Sequence, residues 1–415
     1  MSAVTHRERV LTALRHQPVD RPPIDLAGHR SSGIAAVAYA KLRAYLGLPA
    51  KPIRVYDPVQ QLAIVDDDVL DRFGVDTIEL GRGFALTDDC WADWVLPDGT
   101  PCQMPKWALP VRDGKRWVLL SQTGRVIAEM PDGALYFEQT YYPFFDGAPD
   151  HDHIPEAFAE CMWTAIASPP GPLVGGPDGD KVFVDGAKKL RQQTHRAIIG
   201  LFGGNLLECG QFLYRNDAFF MLLASEPDRA EDFLEKLVTL HLRNLERFLR
   251  LVGPAIDVIL FGDDLGMQTG PQMSPEMYRE FFKPRHARLW RRSKELAPHA
   301  KILLHCCGGV RELLPDLIDA GLDAINPVQI TCRGMDAGNL KKDFGRDLTF
   351  WGGGCDTRSI LPHDQPADIA RHVRQQVQIM NRDGGFVFQQ VHNIMANVPP
   401  ANLVAMYDAV LNPTA

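Results

Sequence analysis

His305, Cys307 and Cys355 are the residues of this sequence best equipped for chemistry. His305 and Cys307 stand in LLHCCGG, directly after the apolar run Lys301-Ile-Leu-Leu304, and Cys355 stands in FWGGGCDT, directly after Leu348-Thr-Phe-Trp351. Each segment reads as a buried strand stopped by glycine. Two sulfurs and one imidazole suit zinc, which takes Cys and His in tetrahedral geometry, and three protein ligands leave a fourth position open for catalysis. The one-residue spacing lets His305 and Cys307 face the same side, with Cys306 turned away into packing. Cys355 arrives from a strand two positions farther round, a gap of roughly 10 Å that loops and side chains can close. The competing reading is three unrelated core residues, since Cys is commonly buried.

Two thiolates give a zinc site a particular use. They lower the metal's Lewis acidity, so it makes hydroxide poorly but binds and deprotonates an incoming thiol. Alkyl transfer to or from sulfur is the chemistry this donor set predicts.

The elements that must position these groups are strands alternating with helices. Eight short apolar runs lie near Ile24–Ala27, Val75–Leu80, Ala197–Phe202, Asp257–Phe261, Ile302–His305, Ala324–Asn326, Leu348–Trp351 and Phe386–Gln390. Helical periodicity marks Glu226–Leu251, Ser274–Leu296, Val310–Ala320 and Pro366–Arg382. Regular strand–loop–helix alternation predicts parallel βα units, and a count of eight predicts a closed (β/α)₈ TIM barrel. No GxGxxG follows a strand, which gives no support to a dinucleotide fold. The stretch from Trp91 to Phe145 breaks the pattern: Pro-Asp-Gly, Arg-Asp-Gly-Lys and Pro-Asp-Gly separate aromatic and β-branched runs. It reads as a β-meander inserted after the second barrel strand, so that residues 1–415 form one barrel domain with residues 91–145 inserted at the rim. Its cluster Tyr136, Phe137, Tyr141, Tyr142, Phe144 and Phe145 either covers a substrate pocket or forms the insertion's own small core.

A (β/α)₈ barrel carries its active site at the C-terminal strand ends. Five consecutive expected strand ends carry titratable or amide groups: Asp263 and Asp264; His305 and Cys307; Asn326 and Gln329; Cys355 and Asp356; His392 and Asn393. Five in a row point to one shared pocket. Asp263 and Asp264 are candidate acid–base or cation-positioning groups, or else cap the following loop through backbone N–H groups. His392 is a candidate to orient substrate or protonate a leaving group, or else is a satisfied rim histidine. Gln329, Tyr214 and Arg30 are candidates for substrate contact, and Glu208 for a fourth zinc ligand. Trp290 with Arg288, Arg291, Arg292 and Lys294 makes a basic helix face that reads as solvated surface.

Composition narrows the classes. The 415 residues carry 44 Lys and Arg against 52 Asp and Glu, a net charge of −8, so a global basic footprint for nucleic acid is absent. The eight cysteines are irregularly spaced, unlike a secreted disulfide scaffold. The opening MSAVTHRERVLTALRHQPVDRPP lacks the apolar core of a signal peptide, and no window approaches 18 uninterrupted apolar residues. The expectation is a soluble cytoplasmic protein with no membrane span.

These residues and segments resemble the uroporphyrinogen decarboxylase superfamily, and within it the zinc-dependent methyltransferase branch. The His-x-Cys pair with a distant Cys resembles that branch's zinc motif. RERVLTALRHQPVDRPP, FGDDLGMQTGPQMSPEMYREFFKPRH and VHNIMANVPPANLVAMYDAV resemble the superfamily's N-terminal, central and C-terminal segments. The resemblance spans nearly the whole chain apart from the insertion. It implies a TIM barrel, zinc at His305, Cys307 and Cys355, and transfer of a methyl group from a small O-, N- or S-methyl compound to or from a corrinoid protein or thiol. It also implies a homodimer by analogy. The chain lacks an Asp-x-His-x-x-Gly cobalamin motif, so a corrinoid would come on a separate protein or free.

Two departures set the chain apart from the decarboxylase itself. Asp25-Leu-Ala-Gly-His-Arg30 stands where that enzyme has Arg-Gln-Ala-Gly-Arg, and Asp76-Thr-Ile-Glu-Leu-Gly-Arg82 holds no Phe-Ser-Asp segment. The cobalamin-independent methionine synthases, which use a similar barrel, carry a zinc-ligating glutamate where this chain has Asn326-Pro-Val-Gln329. A decarboxylase-type lyase, a cobalamin-independent thiol methyltransferase and a metal-free small-molecule binder remain the alternatives to a corrinoid-linked methyltransferase or demethylase.

Overall fold

The apolar runs are buried on both faces, which is what a parallel sheet between helices and a barrel interior requires. A computed structural model describes residues 4–84, 88–165 and 179–412. Seven strands pair in parallel, each with the next in the chain: Thr77–Glu79, Ala197–Gly203, Val258–Gly262, Lys301–His305, Ala324–Asn326, Thr349–Trp351 and Phe386–Val387. The expected first strand is reduced to a single bridge from Ile24 to Phe388. It still closes the sheet. Phe388 N donates to Pro23 O and Asp25 N to Phe388 O, both at 2.8 Å, while Asp76 N donates to Ile24 O at 2.8 Å on the other side. This short segment therefore touches both edges of the seven-stranded sheet and completes an eight-stranded barrel, as the eight apolar runs predict. Pro22 and Pro23 lack the N–H groups that a longer ladder would use.

Alternation along the strands sorts the side chains. Ile302, Leu304, Ile325, Phe350 and Phe386 point outward into the layer under the helices. Val258, Leu260, Leu303, Ala324, Trp351 and Val387 point inward and pack with Val10 and Leu14 of the N-terminal segment. That inner plug leaves the next inward positions, among them His305, Asn326 and Gln389, at the C-terminal mouth.

The opposite mouth is closed by charge. Asp76, wholly buried, meets Arg9, Arg21 and His6, and Asp257 meets Arg7 and Arg191.

The insertion is more than one meander. Val111–Asp113, Arg116–Leu120, Val126–Pro131 and Glu138–Gln139 form a consecutive antiparallel sheet. The hairpin Trp91–Val95 and Pro101–Pro105 leaves it and joins Ile53–Asp57 and Leu62–Ala63 in a second sheet. Ile53–Asp57 lies well before Trp91 in the chain, so this partner is not visible as part of the insertion.

The helix expected from Ser274 to Leu296 is interrupted by a π-helical turn at Tyr278–Phe282. That turn precedes His286, which contacts Asp263 from its own helix. Trp290, expected on a solvated face, is fully buried and stacked on His286. Arg288 and Arg292 of the same helix pair with Glu235 and Glu246. Among the described residues no helix is long and apolar enough to cross a membrane.

Candidate metal centre

Strand register brings the polar groups together. Gly262 pairs with His305, and His305 with Asn326, so three neighbouring strands end level with one another. Asp263 N then donates to His305 O at 2.9 Å, and Cys306 N to Asn326 O at 2.7 Å, which extends the ladder into the loops. Cys307 follows with its N–H on Asp264 Oδ1 at 2.7 Å. Gly308 takes a left-handed φ of 89°, and a side chain there would strike the Gly266–Met267 backbone at 2.2 Å. That glycine lets the loop fold back over the mouth.

The donor atoms of His305, Cys307 and His392 lie within 4.8 Å of one another. Cys307 Sγ is 3.4 Å from His305 Nε2. Burial pushes both His305 and His392 down to about 3, so each ring is neutral at pH 7 and offers a lone pair rather than a proton. Burial, then the charge of Asp264, pushes the Cys307 thiol up. Two imidazoles and one sulfur on converging strand ends are donors that fit a tetrahedral zinc with one position open. His305 is also held as a ligand should be. Its Nδ1 lies 2.7 Å from Asn326 Oδ1, which leaves Nε2 turned toward Cys307.

Cys355 does not join this set. The Gly352–Gly354 segment passes close beside Pro327 and Phe388, where side chains would clash at 2.2 and 2.4 Å. It carries Cys355 into the apolar layer outside the sheet, fully buried, with only a weak contact from Sγ to Asp356 O at 3.9 Å. The neighbouring Asp356 accepts from Arg358 N and Ser359 N, which fixes that turn. His392, expected as an acid or orienting group, stands instead in the group of three side chains that could hold a metal.

A cavity of about 290 Å³ opens beside His305 and His392. Asp264, Glu208 and Arg30 also line it, and Arg30 lies over the Trp163 ring at 5.5 Å. Burial and mutual repulsion raise the Glu208 carboxyl well above its usual range, and burial raises Asp264 as well. Asn205 Nδ2 donates to Glu208 at 2.6 Å and Asp264 N donates to it at 3.2 Å. Glu208 stands in the cavity wall but outside the set of three converging donors.

The other expected site residues stand elsewhere. Asp263 faces away from the cavity and accepts from Leu206 N, Leu207 N and Glu208 N at 3.0–3.2 Å, with His286 Nε2 at 3.1 Å. It caps the helix Leu207–Tyr214 from a neighbouring strand end, rather than the loop that follows it in the chain. Tyr214 packs among Phe144, Phe219 and Phe233 and bonds to His151. Gln329 Oε1 accepts from Gly308 N at 3.0 Å and so holds the ligand loop.

His29 and Ser31 are cavity residues that sequence reasoning did not single out as site groups. His29 is fully buried, with Nε2 3.2 Å from Asp25 Oδ2. Ser31 Oγ lies 3.2 Å from His305 Nε2. The Asp25-x-x-x-His29 spacing was visible in the sequence, but only the barrel closure at Ile24 brings it to the metal donors.

The family model for uroporphyrinogen decarboxylase (URO-D) matches residues 184–412, more than half of the chain. No curated protein matches the sequence. Among solved structures, a methyltransferase from Methanosarcina mazei superposes over 100% of both chains with a TM-score of 0.60 and 17% identity, a likeness of fold. A GH10 endoxylanase retrieved from a sugarcane soil metagenome covers 56% of this chain and 85% of its own at a TM-score of 0.35 and 10% identity. The matched stretch, from the residues just before the third barrel strand to the last helix, contains His305, Cys307 and His392, and by it the chain belongs to the uroporphyrinogen decarboxylase (URO-D) family.

Proposed function

We propose that this chain is a zinc-dependent methyltransferase of the URO-D family, moving a methyl group between a small O-, N- or S-methyl compound and a corrinoid or thiol. The observation that carries the reading is the convergence of His305, Cys307 and His392, two of which, His305 and His392, line a cavity. The fold likeness to a methyltransferase supports it.

When bound, zinc would supply a Lewis acid that holds a thiolate or a departing heteroatom. The chain's own residues do the rest. His305 and His392 are neutral and face the cavity, so they present lone pairs without competing for the substrate's protons. Asp264 holds the Cys307 backbone N–H and fixes the sulfur's approach. Glu208 and Asp264 are raised carboxyls in a desolvated wall, suited to hold a proton for the heteroatom that loses its methyl group. Arg30, over Trp163, faces any anionic end of the substrate. In the transfer the methyl carbon's bond to its heteroatom breaks as its bond to the acceptor forms, and the bonding pair stays with the leaving heteroatom.

The test is to load the full chain with zinc, add O-, N- and S-methyl donors with reduced corrinoid, and follow the methylcorrinoid spectrum. Zinc at one per chain with methylcorrinoid formation is the expected result. Absence of transfer across the donor panel, with zinc bound, would count against the reading.

A further inference from the structure

The central cavity carries charge of both signs on its wall, and neither sign is met. Glu208 and Asp264 line it together, joined by the Asp264 N–H that donates to Glu208 at 3.2 Å, and both keep accessible surface. Among the described residues no lysine or arginine pairs with either carboxylate. Asp264 has only the neutral ring of His305, at 3.8 Å. Arg30 is the one lysine or arginine in the lining. It lies over Trp163 and forms no ion pair among the described residues; Asp57 feels its charge without pairing with it. The two signs are set apart. Ser31, next to Arg30 in the chain, reaches His305 Nε2 at 3.2 Å, and Asp264 approaches the same nitrogen. The wall therefore runs from a cation, past a metal donor, to two carboxyls. Phe158, Trp163, Phe212 and Phe261 add ring surface, with the Trp163 and Phe212 centroids 5.5 Å apart.

We propose that this cavity binds a small zwitterion, a carboxylate joined by a short chain to a quaternary methylammonium group. A guanidinium without an anion takes a carboxylate through paired N–H donors. Burial and repulsion raise the Glu208 carboxyl, and a cation beside it relieves that repulsion. Rings favour the methylated cation over a plain ammonium, because they attract positive charge but offer few acceptors for N–H groups. Each end also excludes the wrong partner. A simple anion meets Glu208 and Asp264, and a simple cation meets Arg30, so only a molecule with both charges satisfies the wall. The volume, about 290 Å³, is at the small end for ligand cavities. With its carboxylate on Arg30, the molecule sets an N-methyl group beside Asp264 and His305. Its role as the methyl donor rests on the methyl-transfer reading; its binding does not.

The experiment is calorimetric titration of the full-length, zinc-loaded chain with trimethylglycine, its uncharged-carbon isostere 3,3-dimethylbutanoate, tetramethylammonium and glycine. Trimethylglycine should bind tightest, by about tenfold over each of the others. Glu208→Gln should weaken trimethylglycine by about tenfold and leave 3,3-dimethylbutanoate no weaker than before. Arg30→Met should weaken both of these carboxylates and spare tetramethylammonium. Thermal melting identifies a variant that fails to fold, and the order of ligands on the parent chain decides without it. The proposal is overturned if the isostere, tetramethylammonium or glycine equals trimethylglycine on the parent, or if folded Glu208→Gln keeps the full preference. A methyl-transfer assay on the same samples separates the two readings. A zinc-loaded chain that binds trimethylglycine but transfers no methyl group from any donor sinks the methyl-transfer reading alone. One that methylates reduced corrinoid from another donor and ignores trimethylglycine sinks this proposal alone.

Discussion

Asn326 sets the tautomer of His305. Its Nδ2 donates to Trp351 O at 2.9 Å and to Gln389 Oε1 at 2.7 Å, so its Oδ1 must face His305 Nδ1, 2.7 Å away. Gln389 is itself fixed, since its Nε2 donates to Ser31 O at 3.0 Å. The proton therefore sits on Nδ1, and Nε2 presents its lone pair to the cavity. Asn326→Leu removes this support while leaving all three donors in place. Zinc affinity should fall by about 10–100-fold, as it does when such supporting groups are lost elsewhere. Competition against a chromogenic chelator measures it, and an affinity equal to the parent's would show that the relay is idle.

The donor set makes a sharper prediction about cysteine. Cys307→Ser and His392→Ala should each lose stoichiometric zinc. Cys355→Ser should keep it, because that sulfur lies in the apolar layer outside the sheet. Cys355→Ser should instead lower stability by about 1–3 kcal/mol, since it buries a hydroxyl with no evident partner. Elemental analysis with thermal melts on the three variants distinguishes these outcomes. Zinc lost from Cys355→Ser but kept by His392→Ala would restore the two-sulfur arrangement that the sequence suggests.

That contrast shows what the sequence could and could not reveal. Barrel class was legible because strand and helix periods alternate over the second half of the chain, and His305 and Cys307 were legible because they follow one apolar run at a spacing of two. Cys355 misled because it also follows an apolar run. Only the path of Gly352–Gly354 past Pro327 and Phe388 reveals that its side chain leaves the mouth. Asp263 and Asp264 are adjacent and chemically identical, yet one caps a helix and the other faces the metal donors. Their division depends on strand register, which no local pattern encodes. Tyr214 reads as a rim residue, but the aromatic cluster around it comes from distant segments.

The two aspartates should therefore separate in experiment. Asp263→Ala strips an acceptor from three backbone N–H groups and leaves His286 buried without its partner. Loss of a helix cap costs about 0.5–2 kcal/mol, and the stranded histidine adds to that. Its melting temperature should drop. Asp264→Asn keeps the hydrogen bond to Cys307 N and should melt near the parent, yet lose transfer activity because the cavity wall loses a carboxyl. A stable Asp263→Ala, or an active Asp264→Asn, would reverse this division of labour.

At the far mouth, Asp76 governs acid stability. Burial alone would raise its carboxyl, but the contact with His6 and the charge and hydrogen bonds of Arg21 outweigh it and hold the group below the usual carboxylate range. Arg9 Nη1 donates to Asp76 Oδ1 at 2.7 Å, and Ile24 N donates to Asp76 Oδ2 at 2.7 Å, which ties the carboxylate to the segment that closes the barrel. A carboxyl depressed in the folded state stabilises the fold above its unfolded value, about 3.9. That stabilisation disappears as the pH falls through the lower folded value, when the buried carboxyl takes up a proton. Denaturant melts should therefore show stability held from neutral pH to about pH 4 by this group and falling below it. Asp76→Asn should cost about 3–5 kcal/mol at pH 7, because Arg21 and Arg9 lose a buried partner. Its stability should also depend less on pH below about 4, since the titrating group is gone. The same variant should expose the Ile24 segment to faster amide exchange, because Asp76 joins it to the next strand through both side chain and backbone. An Asp76→Asn chain as stable as the parent at pH 7, with unchanged exchange at Ile24, would show that the barrel closes without this charge cluster.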